Sequence, residues 1–234
     1  MEHQNINAKL SIIIPTLNEA SRLPLLISDL HQWPNIFEIN VVDAGSNDQT
    51  RLVATLAGAK VTELKEASRG LQLKYGASIS NGEWLLFIHA DSRLNNKWEQ
   101  KVLGIIKKES CKKYAWYFDF KLDANGIGMR LLEIAVAFRS YFFQEPYGDQ
   151  GLLISKELYD QVGGYSPISI MEDLELIHRL RVKTSIKRIG IALTTSARKW
   201  TGFNIINIAI KNAIFRYRWS RGEDPRQLSK EYYS

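Results

Sequence analysis

Leu10-Ser11-Ile-Ile-Ile14-Pro15-Thr-Leu-Asn18-Glu19 decides the fold: a short run of almost unbroken apolar residues, closed by a polar turn. Such a run suits a strand buried on both faces, as in a parallel sheet, better than a half-exposed strand with alternating residues. The same pattern recurs outward from it. Apolar runs over Phe37 to Val42, Val61 to Leu64 and Trp84 to Ile88 are separated by segments of helical spacing that begin near Leu23, Thr50, Leu71 and Asn96. Strands alternating with helices read as βαβ units, so the expected class is α/β, with a mostly parallel central sheet flanked by helices.

After Lys113 the regularity fades. Strands are expected over Tyr114–Phe120, Leu152–Ile154 and Ile186–Leu193. Helices are expected over Gly128–Phe142, from near Ser169, and over Phe203–Trp219. No repeat, low-complexity tract or Pro/Gly-rich linker marks a boundary, and 234 residues suit one core, so residues 1–234 read as a single domain.

With 45% hydrophobic and 24% charged residues the chain has a globular balance. The net charge of +6 favours polyanionic partners: nucleotide phosphates, anionic lipid surfaces or nucleic acid. Nothing resembles a zinc finger, an RNP aromatic signature or a long basic run, so nucleic acid is not an expected partner. Cys111 is the one cysteine, which excludes an intramolecular disulfide, and the four histidines are too scattered for a His/Cys metal site. Both features suit a reducing, cytoplasmic compartment. The polar N-terminal stretch shows no signal-peptide core, and no run approaches the ~20 apolar residues of a membrane span. Any membrane contact is therefore expected from one side, at the inner surface.

In open α/β sheets ligands bind beyond the carboxyl ends of the strands. Four polar clusters follow the first four expected strands: Pro15-Thr-Leu-Asn18-Glu19, Asp43-Ala-Gly45-Ser46-Asn-Asp48-Gln-Thr50, Ala67-Ser-Arg69-Gly70 and His89-Ala90-Asp91-Ser92. Singly, each has a structural explanation, since Asn18, Ser46 and Asp48 are ordinary turn and cap residues. Together they gather Glu19, Asp43, Asp91 and Arg69 at one sheet edge, an arrangement that is costly without a ligand or cation to share the field. A nucleoside diphosphate fits those groups. Glu19 and Asp43 accept from a base or ribose, Arg69 offers its donor fork to phosphate, and Asp91 is a hard oxygen ligand for Mg²⁺ or Mn²⁺. No Walker-type loop occurs, and Gly126-Ile-Gly128 does not open the first βα turn, so kinase and dehydrogenase chemistries are not expected.

These residues resemble glycosyltransferase family 2, of GT-A type. Ser11 to Glu19 looks like the opening strand and nucleotide loop, Val42 to Thr50 like the second signature, Arg69-Gly70-Leu-Gln72 to Ala77 like the following helix entry, and Phe87-Ile-His89-Ala90-Asp91 like the Asp-x-Asp motif. The later half is similar to the compact subgroup called selenodomain-associated type-2 transferases, through Tyr147-Gly148-Asp149-Gln150-Gly151, Gly163-Gly164-Tyr165, Met171-Glu172-Asp173-Leu-Glu175 and Ser196-Ala-Arg198-Lys199-Trp200.

The resemblance implies a metal-dependent, inverting transferase that moves a sugar from a nucleoside-diphosphate sugar, a UDP-sugar in first place, to a hydroxyl acceptor. Glu19, Asp43 and Arg69 would hold the nucleotide, with Pro15, Asn18, Ser46, Gln72 and Ala90 of the same motifs around it. Asp91 would hold Mg²⁺ or Mn²⁺. His89 stands where the family commonly has its first aspartate, and either contacts the metal or phosphate, or merely finishes a strand. Asp173 would be the catalytic base beside Glu172. The spacing Ser169-Ile-Met-Glu172 is also that of a capping box, which would make Glu172 a helix cap. Asp149, Gln150, Arg198 and Trp200 would serve the acceptor and diphosphate, a plain turn and a surface Arg–Trp stack being the structural alternatives. The division is then about 10–110 for the nucleotide sugar, 111–202 for acceptor and catalysis, and 203–234 for an amphipathic basic helix. That helix either packs on its own domain or docks on a membrane near a lipid-linked acceptor. Rival readings are a GDP-sugar donor, a non-catalytic nucleotide-sugar-binding protein, and a sugar nucleotidyltransferase, whose glycine-rich loop is missing after Ile14.

Overall fold

In the computed structural model, which describes residues 9–33, 36–65, 68–200 and 205–233, one sheet runs through the chain. Its strands are β1 Leu10–Thr16, β2 Ile36–Asp43, β3 Lys60–Glu63, β4 Trp84–Phe87, β5 Ser92–Leu94, β6 Ala115–Leu122, β7 Leu152–Ser155 and β8 Ile186–Thr195, in the order β3-β2-β1-β4-β7-β6-β8-β5. β1 to β4 are mutually parallel. β7 runs antiparallel to β4 and β6, β6 is parallel to β8, and β5 closes the edge antiparallel to β8. The expectation of a mostly parallel sheet thus holds for the first half, and the second half is mixed.

β1 is buried at all seven positions, as its unbroken apolar run requires. Ile12 and Ile14 pack on one face with Leu23 and Leu26 of α1 (Leu23–Leu30) and Trp98 of α4 (Trp98–Ile106). Ile13 packs on the other with Leu73 and Ala77 of α3 (Arg69–Ile79) and with Leu176 and Leu180 of α7 (Glu172–Lys183). A Cβ on Gly76 would lie 2.4 Å from Ile13 Cγ2, so glycine is what lets α3 sit directly on β1.

The remaining helices are α2 (Thr50–Leu56), α5 (Ile127–Phe142), α6 (Lys156–Gln161), α8 (Ile205–Ser220) and α9 (Pro225–Tyr233). The sequence did not show β5 or α6, both short, and the single basic helix expected over 203–234 is two helices, α8 and α9. The helix expected near Ser169 begins instead at Glu172, with Met171 as its N-cap at φ 63° and no side-chain cap, so the capping box is absent. Glu172 is drawn inward and Ile170 buries against Phe215 of α8 and Leu228 of α9. Phe203 lies outside the described residues, but α8 packs on its own domain through Phe215, while Ile210, Ile214 and Tyr217 face outward. No helix of the described residues is long and apolar enough to cross a membrane.

Candidate active site

The loops after β1 and β2 are tied to each other before any ligand enters. Asp43, fully buried at the end of β2, accepts hydrogen bonds from Thr16 Oγ1 (2.8 Å), Ser46 N (2.8 Å), Ser46 Oγ (2.5 Å) and Gly45 N (3.1 Å). Ser46 Oγ in turn accepts from Asn18 N (2.8 Å), and Asn18 Oδ1 from Asn47 N (2.9 Å), which holds Asn18 in the left-handed region at φ 55°. Asp48 takes the N–H groups of Thr50 and Ala20, and its hydrogen bonds with Thr50 hold its carboxyl below the usual aspartate value. Pro15 is buried within β1.

Gln72 lies in the same region but faces the sheet. Its amide donates to Thr16 O (2.9 Å) and Val42 O (2.7 Å), stitching the ends of β1 and β2 together. Both amide hydrogens are thereby engaged with backbone, a structural job at a position expected to touch the nucleotide.

Arg69 opens α3 and donates through Nε to Glu172 Oε1 at the start of α7. Glu172 is 1% exposed, and its Oε2 has no hydrogen-bond partner among the described residues. Burial pushes its carboxyl above the usual glutamate value, with the Arg69 charge opposing. Glycine at position 70 permits this seam, because a Cβ there would lie 2.4 Å from Ser166 O and 2.7 Å from Ile168 O.

Glu19 is 8% exposed and pairs with Arg198, which also lies 3.7 Å from Asp91 Oδ2. Glu19 Oε2 is buried, with Arg22 at 4.0 Å and no hydrogen-bond partner among the described residues. Arg198 thus bridges two of the carboxylates expected to serve the donor. Ala90 is buried between His89 and Asp91. The Trp200 side chain lies outside the described residues.

Asp173, in the first turn of α7, accepts from Gly148 N (2.7 Å) and Leu174 N (2.8 Å). A Cβ on Gly148 would meet His89 Nε2 at 2.9 Å and Asp173 Oδ2 at 3.2 Å, so the missing side chain lets His89 and Asp173 approach the same side of one backbone. Gln150 goes elsewhere. It is 1% exposed and accepts from Ser140 Oγ (2.8 Å) while donating to Phe118 O (3.2 Å), so it braces the 148–150 turn from beneath rather than lining the acceptor side.

Arg69, His89, Asp91, Asp149 and Asp173 line one cleft of ≈ 340 Å³ beyond the carboxyl ends of β4 and β8. Tyr147, Thr195, Asn212, Arg216 and Tyr232 also line it, with apolar side chains of the chain leading into α7. None of these five was assigned from sequence; Asn212, Arg216 and Tyr232 sit in the tail helices, where only a basic amphipathic pattern was visible. No cluster of three or more His, Cys, Asp or Glu side chains forms a complete metal cage among the described residues. The fit to a divalent ion is therefore partial: Asp91 and His89 share the cleft and offer few ligands. Mg²⁺ and Mn²⁺, which keep waters and draw further ligands from substrate phosphates, suit such a site.

The model of the family described as Glycosyl transferase family 2 matches residues 11–146. The chain is similar to the 4,4'-diaponeurosporenoate glycosyltransferase of Staphylococcus haemolyticus, 36% identical over 112 residues, which span 45% of this chain and 29% of that enzyme. Among solved structures it resembles S. aureus TarS 1-349 in complex with UDP-GlcNAc (TM-score 0.64, 17% identity, 81% of this chain and 59% of that one). It also resembles Mycobacterium tuberculosis glucosyl-3-phosphoglycerate synthase in complex with Mn²⁺ and UDP-glucose (TM-score 0.62, 17% identity, 90% and 78%). At such identities the likeness is one of fold, the GT-A fold, and the matched stretch is about a third of the curated relative's length.

Proposed function

This chain belongs to glycosyl transferase family 2, and from that premise we propose that it is a metal-dependent, inverting transferase that moves a sugar from a UDP-sugar to an acceptor hydroxyl. The observation that carries this is a single cleft lined by Asp91, Arg69 and Asp173, beside the Asp43 and Glu19 loops. The UDP-sugar complexes of the two structures of like fold support the choice of donor.

Asp173 is the base. Its carboxylate, oriented by the N–H groups of Gly148 and Leu174, takes the acceptor proton as the acceptor oxygen attacks the anomeric carbon. The bond to the diphosphate oxygen breaks, its electron pair leaves on the diphosphate, and a single displacement inverts the anomeric centre. Arg69 and Arg198 face the leaving group; the donor competes with Glu19 and Asp91 for Arg198. Asp91, with His89 beside it, would hold Mg²⁺ or Mn²⁺, which when bound neutralises charge on the diphosphate.

Thermal melts with UDP, GDP, CDP and ADP, each with and without Mn²⁺, test the donor. A Mn²⁺-dependent rise with UDP, lost in Asp91→Ala, is expected. A rise with GDP alone reassigns the donor, and no rise with any nucleotide overturns the reading. Anomeric NMR of the product checks the stereochemistry, and retention would remove the role given to Asp173.

A further inference from the structure

Tyr147 is gripped by two guanidinium groups. Arg139 of α5 lies 3.4 Å from the ring centroid, and Arg216 of α8 lies 5.4 Å from it and donates to the phenol oxygen. Arg139 also donates to Glu145 O (2.9 Å) and Gln150 Oε1 (3.3 Å), both uncharged acceptors. Burial holds its pKa below the ordinary arginine value; Tyr147, Asp149 and Asp173 oppose this through space, and the charge of Arg216 adds to it.

These two differ from the other arginines of the cleft. Arg69 is matched by Glu172, and Arg198 by Glu19 and Asp91. Among the described residues neither Arg139 nor Arg216 forms an ion pair with a carboxylate. Arg139 and Arg216 are both half-buried, and although Asp149 and Asp173 act on Arg139 through space neither forms an ion pair with it, so an anion delivered by a ligand would meet two guanidinium groups not yet engaged by a carboxylate. A neutral sugar hydroxyl needs no guanidinium; the planar fork of arginine suits phosphate or carboxylate.

Chain connectivity says which substrate bears that anion. Tyr147 is joined directly to Gly148, whose N–H holds Asp173, so Arg216 reaches the cleft on the base's side. The donor loops at Asp43 and Glu19 lie on other elements and have their own arginines. Resting on the assignment of Asp173 as base, we propose that the acceptor is an anionic hydroxyl compound, with an oxyanion bound by Arg216 while Arg139 supports it from behind the Tyr147 ring.

Inorganic phosphate is the probe. The intact chain, saturated with UDP and Mg²⁺ to fill the donor side, is melted in phosphate, acetate or chloride at matched ionic strength. At about ten times a millimolar dissociation constant, phosphate is expected to raise the melting temperature by roughly 3–5 °C over chloride. Acetate raising it instead identifies the oxyanion as a carboxylate. Arg216→Gln is expected to lose the anion shift and keep the UDP shift; Arg216→Lys, which folds with the charge but not the fork, keeps a reduced one. The proposal is overturned if neither anion acts beyond chloride, if the shift persists unchanged in Arg216→Gln, or if phosphate competes with UDP instead of adding to it. A missing UDP shift sinks the donor reading alone, and the anion series is then read in nucleotide-free protein, so the two failures are distinguishable.

Discussion

The loops that follow β1 and β2 and the wall around Asp173 solve the same problem in different ways. In the loops, Asp43 is fixed by hydroxyl and backbone donors from residues 2 to 27 positions away, and the polar groups are oriented before a ligand arrives. Around Asp173 the contacts reach farther along the chain: Arg69 to Glu172 and Arg216 to Tyr147. Short, dense hydrogen bonding makes a rigid pair of loops, which suits the nucleotide proposed to bind there. Long side chains meeting from separate elements make a wall whose charge can be rearranged by what binds there. On the proposed function, the difference predicts that nucleotide binding and turnover can be separated by mutation.

The largest effect expected from that separation is at Asp173. Asp173→Asn keeps an acceptor for Gly148 N–H but loses the base, so kcat should fall by about 10²–10⁴ while the UDP-induced rise in melting temperature is retained. Steady-state kinetics and melts on one preparation check both halves of the statement. A parallel loss of UDP binding would erase the distinction between loops and wall. Next is Asp91→Ala, which removes the one carboxylate of the His89–Asp91 turn. Its kcat should fall by about 10²–10³, and the Mn²⁺ dependence of UDP binding should vanish with it. An unchanged metal titration would move the metal away from Asp91.

The same contrast governs what could be read from sequence. Seven of the eight strands, the parallel first half and the Asn18–Glu19, Asp43–Asp48 and Arg69 clusters were legible, because in a βα unit the polar turn lies in sequence next to the strand that positions it. Gln72 was misleading: it sits in the helix-entry motif, yet its amide faces the sheet, and motif position does not say which way a side chain turns. Gln150 turned the same way, and Glu172, expected beside the base with helix capping as the alternative, is buried against Arg69 and caps nothing. Arg216 and Arg139 were invisible as site residues. Their meaning comes from Tyr147, 69 positions from Arg216, and nothing in local spacing foretells that meeting.

Gly70 joins the two regions, so Gly70→Ala sharpens the comparison by pushing them apart. The added Cβ would press on the carbonyl oxygens of Ser166 and Ile168, which are backbone and yield poorly. Overpacking of this kind costs about 1–3 kcal/mol, roughly 2–4 °C of melting temperature per kcal/mol for a chain this long. The displacement falls on Arg69 and on the chain leading into α7. A shift well under 1 Å there is expected to lower kcat by about tenfold and to leave UDP affinity less affected. Equal losses in both would mean that the Arg69 seam serves nucleotide binding as much as geometry at the base.

The smallest effect is a pH dependence at the same seam. Burial raises the Glu172 carboxyl above its ordinary 4.5, and Arg69 only partly offsets this. Between that value and the raised one, the folded protein keeps a proton on Glu172 that the unfolded chain has released. Stability contributed by this group is therefore fully present below pH 4.5 and is lost as pH rises through the raised value, with a slope of at most about 1.4 kcal/mol per pH unit. Glu172→Gln cannot titrate, so urea unfolding from pH 4 upward should show a shallower decline than in the parent, by about 1 kcal/mol or less across the window. Identical slopes would mean that Arg69 fully compensates the burial. Glu172 would then be an ordinary ion-paired carboxylate, and the wall near Asp173 would be as firmly set before ligand binding as the loops after β1 and β2.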